Sequence, residues 1–178
     1  MKILMVGSQG SGKSTQGKLL ADYLHTPYIS TGDIFRDIAR QDTKEGKKIR
    51  QILNSGRLVD DQTTSLMMEK KIKQLEYQDG YILDGYPRNL EQIKLFSPMF
   101  DKVFYLKLSD EDATRRLMER VREDDTPELI AGRLRIYHRE TDPILDYYLQ
   151  KELLISIDGQ GTIEQIQQKI REALNGQK

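Results

Sequence analysis

A three-layer, doubly wound α/β fold on a parallel five-stranded sheet, carrying one small helical insertion, is the architecture this sequence predicts. Five short apolar runs, Ile3 to Val6, Tyr28 to Ile29, Tyr81 to Leu83, Val103 to Leu108 and Leu153 to Ile157, are separated by longer amphipathic stretches. Strands alternating with helices read as βαβ units, whose crossovers cover both faces of a parallel sheet. The second observation is that the stretches between the runs carry helix-start chemistry.

In chain order, Ile3-Leu4-Met5-Val6 reads as a buried strand broken at once by Gly7, far short of a signal-peptide core. The Leu19-Leu20-Tyr23-Leu24 pattern makes the next stretch helical. Residues 31–59 then fit the alternation poorly: they are polar, helix-prone and bracketed by Gly32 and Gly56, which suggests a small helical excursion. Asp60 or Asp61 starts a helix carrying Leu66, and Asn89 can cap one containing Leu90 and Leu95. Ser109 with Asp112, Thr126-Pro127-Glu128, and Thr162 with Gln165 open the remaining helices, each offering a side-chain acceptor or a proline to the first turn. Folds of this kind bind ligands beyond the carboxyl ends of their strands, so functional residues are expected directly after the apolar runs.

At 178 residues the chain fits a single domain, 1–178, around one core. Twenty-eight basic and twenty-eight acidic residues cancel, so no overall field draws it to nucleic acid or an anionic membrane, and any anion must be held by local charge. No stretch approaches the ~20 apolar residues of a membrane span. Without cysteine, and with only His25 and His138, neither a disulfide frame nor a zinc site of cysteines and histidines can form. The expectation is a soluble, cytoplasmic protein with no zinc and no nucleic-acid or membrane partner.

The first run leads into Gly7-Ser8-Gln9-Gly10-Ser11-Gly12-Lys13-Ser14-Thr15, which satisfies G-x-x-x-x-G-K-[ST] in the required order of strand, loop and helix. Glycines let the backbone curl so that successive N–H groups face one anion, and the helix dipole adds its positive end. Gly10, Ser11, Gly12, Lys13, Ser14 and Thr15 are therefore the expected nucleotide-phosphate cradle, with the Ser14 hydroxyl placed for Mg²⁺. Switches, motors and kinases all use such a loop, so it names no reaction by itself.

The other post-strand segments narrow the choice. Ser30-Thr31-Gly32-Asp33 with Arg36 follows the second run, and Asp84-Gly85-Tyr86-Pro87-Arg88 with Gln92 follows the third. With Gly56-Arg57-Leu58-Val59, Arg133-Leu134 leading to Tyr137-His138, and Ile157-Asp158-Gly159, these make the chain resemble the adenylate kinase family of P-loop nucleoside monophosphate kinases over nearly its whole length. The resemblance implies reversible, Mg²⁺-dependent transfer between ATP and AMP giving two ADP, in a monomer or small homo-oligomer. It also implies that residues 30–59 form the subdomain that binds the monophosphate.

Residue by residue, the resemblance implies that Thr31, Arg36, Arg57, Leu58, Val59, Gly85, Arg88, Gln92, Arg122 and Arg133 bind AMP. Arg116 and Gly161 join the phosphate loop in binding ATP. Catalysis is expected from Lys13, Asp84, Arg88, Arg120, Arg122 and Arg133, and Mg²⁺ binding from Ser14 and Asp84, partly through water. The chemistry suits these types: a guanidinium fork grips phosphate oxygens in pairs, and a glutamine amide can donate and accept against an adenine edge. Phosphoryl transfer calls for alignment and charge neutralisation rather than a general base. Asp84 has an alternative reading as a turn former before Gly85.

Arg116 and Arg120 are four apart on an expected helix and share a face, with Arg122 close behind. In longer family members a separate lobe, sometimes zinc-bearing, intervenes where only Val121 stands here, so residues 116–126 are expected to form a truncated lid loop. A closed lid excludes water, so its loss predicts leakier hydrolysis, faster exchange, or compensation by a neighbouring subunit. Two features depart from the family: Ser14 stands where it usually has glycine, and Gln9 where proline is common. UMP/CMP kinases tend to have asparagine at the Gln92 position and alanine at Thr31, while Asn89 is reminiscent of them. A UMP, CMP or dAMP kinase, or an ATP-dependent switch without transfer activity, remain the alternatives.

Overall fold

The computed structural model describes residues 1–55, 57–119 and 126–176. Five strands, β1 (Lys2–Val6), β2 (Tyr28–Ser30), β3 (Tyr81–Asp84), β4 (Lys102–Lys107) and β5 (Leu154–Asp158), form one parallel sheet in the order β2-β3-β1-β4-β5. Each falls on one of the apolar runs. In β1, Leu4 pairs with Leu83 of β3 and Val103 of β4, which makes β1 the central strand.

Side chains alternate across a strand, so the sheet builds two cores at once. Leu4, Val6, Leu83 and Val103 face a layer formed by Met68 of α4 (Asp61–Ile72), Ile93 of α5 (Leu90–Leu95), and Ile144 and Tyr148 of α8 (Asp142–Gln150). Ile3, Met5, Ile82, Phe104 and Leu106 face the opposite layer, Leu20 and Ala21 of α1 (Lys13–Leu24) with Ile166 and Ile170 of α9 (Ile163–Leu174). These are the three layers of a doubly wound α/β sheet.

Two satellites complete the fold. Between β2 and α4 lie α2 (Thr31–Arg40) and α3 (Lys44–Asn54), which bury Phe35, Ala39, Ile49 and Val59 in a small core of their own. Gly46 is required there, because a Cβ would lie 2.7 Å from the Ile38 carbonyl oxygen. After β4, α6 (Asp110–Glu119) packs Ala113 and Leu117 against Ile130 and Leu134 of α7 (Pro127–Glu140).

The helices begin where the local chemistry says. Ser30, Asp60, Asn89 and Thr126 accept from the third backbone N–H beyond them, and Thr162 with Gln165 closes a full capping box. No helix among the described residues is long and apolar enough to cross a membrane.

Candidate active site

The carboxyl ends of β1, β2 and β3 open into one cleft of about 1160 Å³. On one wall, the loop after β1 turns through Gly10 (φ +86°) and Gly12 (φ +88°), a backbone region L side chains rarely adopt. At Gly10 a Cβ would also meet the Ala113 carbonyl oxygen at 2.6 Å. Gly12 caps α1 without a side-chain acceptor, and no acidic residue occupies the first turn. The helix start is thus left to an external anion. Lys13 Nζ donates to the Ser8 carbonyl at 3.2 Å, and Lys13, Ser14 and Thr15 line the cleft with Gly10 and Gly12. Ser11 is fully buried beneath them.

At the end of β3, Asp84 is 4% exposed. Its Oδ2 accepts from Ser14 Oγ at 2.5 Å and from the Tyr28 hydroxyl at 2.8 Å, while its Oδ1 is buried without a hydrogen-bond partner. Burial, then the Asp84 charge, pushes the Tyr28 phenol far above its ordinary pKa, so it remains a donor. Beside it, Arg88 Nε is fastened to the Gly85 carbonyl at 2.9 Å. Burial first, and the nearby Arg36 charge, lower the Arg88 pKa against the opposing pull of Asp84. An arginine starts so high that it stays a cation.

On the facing wall, Arg36 donates to Asp33 Oδ1 at 2.5 Å, with Lys18 Nζ 3.9 Å from the same carboxylate. Burial alone would raise the Asp33 pKa, but the Arg36 bond and both cations outweigh it and hold the carboxyl below its usual range. Thr31 lines the cleft with its hydroxyl on Met68 Sδ at 3.6 Å, and Arg57, Leu58 and Val59 follow from the end of α3. Gln92 sits on the floor at 1% exposure, and Arg116 and Arg133 reach in from α6 and α7. Arg116 also donates to the Gly159 carbonyl at 2.9 Å.

Most of the residues expected from the sequence therefore meet in one cleft. Gly161 does not line it; its φ of +115° serves the turn before α9, and a Cβ would strike Gln165 Oε1 at 2.7 Å. Arg120, Arg122 and the central part of the 116–126 loop lie outside the described residues. Lys18 and Arg50 line the cleft without having been anticipated, since a single basic residue on a helix carries no motif. Tyr28 was read only as a strand residue, because its bond to Asp84 spans 56 positions.

A glycine cradle at a helix start, a buried carboxylate beside the loop hydroxyl, and a facing bank of arginines define a P-loop phosphotransferase. Comparison with known proteins makes the assignment particular. The adenylate kinase family profile matches residues 5–153, and the chain belongs to that family. It is 36% identical to adenylate kinase 1 of a Nostoc species, with 97% of this chain and 98% of that protein covered. It is 40% identical to the adenylate kinase of a Cyanothece species (89% and 87% covered), and 35% identical to that of Corynebacterium urealyticum (93% and 94%).

Proposed function

We propose that the cleft carries out reversible phosphoryl transfer between ATP and AMP, yielding two ADP. The observation that carries this reading is a single cleft with two facing cationic walls. At about 1160 Å³ it exceeds the usual ~300–1,000 Å³ of a one-ligand pocket. The phosphate loop and Lys13 hold the donor β- and γ-phosphates. Arg36, Arg88 and Arg133 hold the acceptor phosphate and neutralise charge on the group in flight, and Arg116 covers the donor base. Residues 30–59 form the acceptor subdomain, with Thr31, Arg57, Leu58, Val59 and Gln92 around the base.

A Mg²⁺ ion fits the remaining polar atoms: the unpartnered Asp84 Oδ1 lies next to the Ser14 hydroxyl's own acceptor, Oδ2. No cluster of three or more His, Asp or Glu side chains able to hold a metal occurs among the described residues, so phosphate and water would supply most ligands. When bound, the ion would offset the negative charge that develops on the phosphates during transfer. Ser14 and Asp84 orient its shell.

Two features bear on the alternatives. Asn89 is spent on capping α5 and bonding Asp61 and does not line the cleft, which disfavours a pyrimidine-type reader at that position. A switch without transfer has no use for a second bank of arginines. Only residues 120–126 connect α6 to α7, which supports a truncated lid, and with it some loss of γ-phosphate to water.

The test is to mix purified protein with ATP, Mg²⁺ and each nucleoside monophosphate in turn, and with none, following diphosphate and free phosphate. AMP should give the fastest diphosphate formation, with measurable slow phosphate release when the acceptor is omitted. Diphosphate formation no faster with AMP than with UMP or CMP would overturn the AMP reading, and no detectable phosphate release without acceptor would remove the leak.

A further inference from the structure

Beneath the acceptor wall lies a side-chain network that the transfer chemistry does not use. Gln92 is almost completely buried, yet both ends of its amide are engaged. Its Oε1 accepts from the Arg88 backbone N–H at 2.8 Å, and its Nε2 donates to Asp61 Oδ1 at 2.8 Å. The reverse orientation would set Nε2 against an N–H and Oε1 against a carboxylate, donor to donor and acceptor to acceptor. The assignment of oxygen and nitrogen is therefore dictated by the partners. Asn89 braces the arrangement: its Nδ2 donates to both Asp61 oxygens at 3.1 Å, and its Oδ1 accepts the Gln92 backbone N–H at 2.8 Å.

With those bonds made, Gln92 retains one N–H and one oxygen lone pair, each on a fixed side. An edge pairing a ring-nitrogen acceptor with an amino donor, as in adenine or cytosine, suits one amide orientation. An edge pairing a ring N–H with a carbonyl, as in hypoxanthine or uracil, suits only the reverse. We infer that Asp61 is a positioning residue: by holding Nε2 it locks the Gln92 amide, so that the acceptor site selects amino-bearing bases against their oxo counterparts. This rests on the reading above that Gln92 meets the base.

The experiment compares kcat/KM for AMP and inosine monophosphate, which differ only at that edge, in the full chain. Asp61→Ala removes the acceptor and should lower the AMP-to-IMP ratio about tenfold or more. The loss should fall on the KM for AMP and on IMP rejection, with KM for ATP and kcat at saturating AMP held within about twofold. Asp61→Asn retains an oxygen acceptor and should restore the ratio. A merely structural Asp61 would lower the melting temperature without moving the ratio. Gln92→Leu separates the two levels of the argument. If Gln92→Leu collapses the ratio while a cooperatively melting Asp61→Ala keeps it, the lock is wrong and the reading of the base stands. If both keep it, the reading itself fails. Should Asp61→Ala not fold, Asn89→Ser, which keeps the α5 cap and drops the amide on Asp61, should lower the same ratio by a smaller factor; an unchanged ratio there also overturns the lock.

Discussion

Asp84 shows how much one side chain can organise. Its carboxylate closes β3 and receives Ser14 from the phosphate loop and Tyr28 from β2 on the same oxygen, leaving the other oxygen buried and unpartnered. Removing one of those donors is a direct test of that hub. A hydrogen bond to a charged acceptor is worth about 1.5–3 kcal/mol, and part of it is recovered by water, so Tyr28→Phe should lose about 1–2 kcal/mol of stability. The reading is a lower urea midpoint with an unchanged m-value; a midpoint equal to that of the parent chain would show the bond to be dispensable. At this scale the motif residues were legible because they lie in contiguous stretches after strands: Lys13 and Ser14, Thr31 to Arg36, Asp84 to Arg88. Tyr28 and Asp61 were not, because their partners stand 56 and 31 positions away.

Elements were the most legible level, since periodicity and capping act over a few residues. Ser109, Asn89 and Thr162 each accept the backbone N–H three residues on, as their identities and spacing imply. The break between α7 and α8, where Thr141 offers no side-chain cap and Pro143 enters the first turn of α8, is braced by His138. That ring bonds Asp142 in the first turn of α8 through Nδ1 at 2.7 Å and Asp110 at the start of α6 through Nε2 at 2.9 Å. The Asp142 bond first, and the Asp110 bond next, raise the histidine pKa above its ordinary value. The clamp therefore contributes in full below about pH 6.5 and is lost as the pH rises through the raised value. With the side chain 48% exposed, solvent screening keeps the effect small. Relative to His138→Gln, the parent chain should be more stable near pH 6, with the difference closing by about pH 9. Denaturant midpoints of the two proteins across that range provide the check, and a constant difference would count against the clamp.

At the scale of the whole molecule, two packed layers hold the sheet, while α2–α3 and α6–α7 each rest on a small core of their own. The cleft lies between these satellites and the strand ends, so a nucleotide should bind the folded chain and not the unfolded one. Mg²⁺-ATP at a hundred times its dissociation constant should then stabilise the fold by about 2.7 kcal/mol, a rise of about 5–10 °C in Tm for a chain of this size. A melt that nucleotide leaves unmoved would contradict a preformed phosphate cradle. The sequence by itself determined the five strands, most of the helix starts, the glycine-rich loop and the arginines that reach the cleft, because each is written in neighbouring residues whose spacing has a local physical meaning. Only the tertiary structure decided that β1 lies between β3 and β4, that Tyr28 and Ser14 share one oxygen of Asp84, and which way the Gln92 amide points. Those outcomes depend on groups far apart in the chain competing for the same buried donors and acceptors, and that competition is settled only when the layers close.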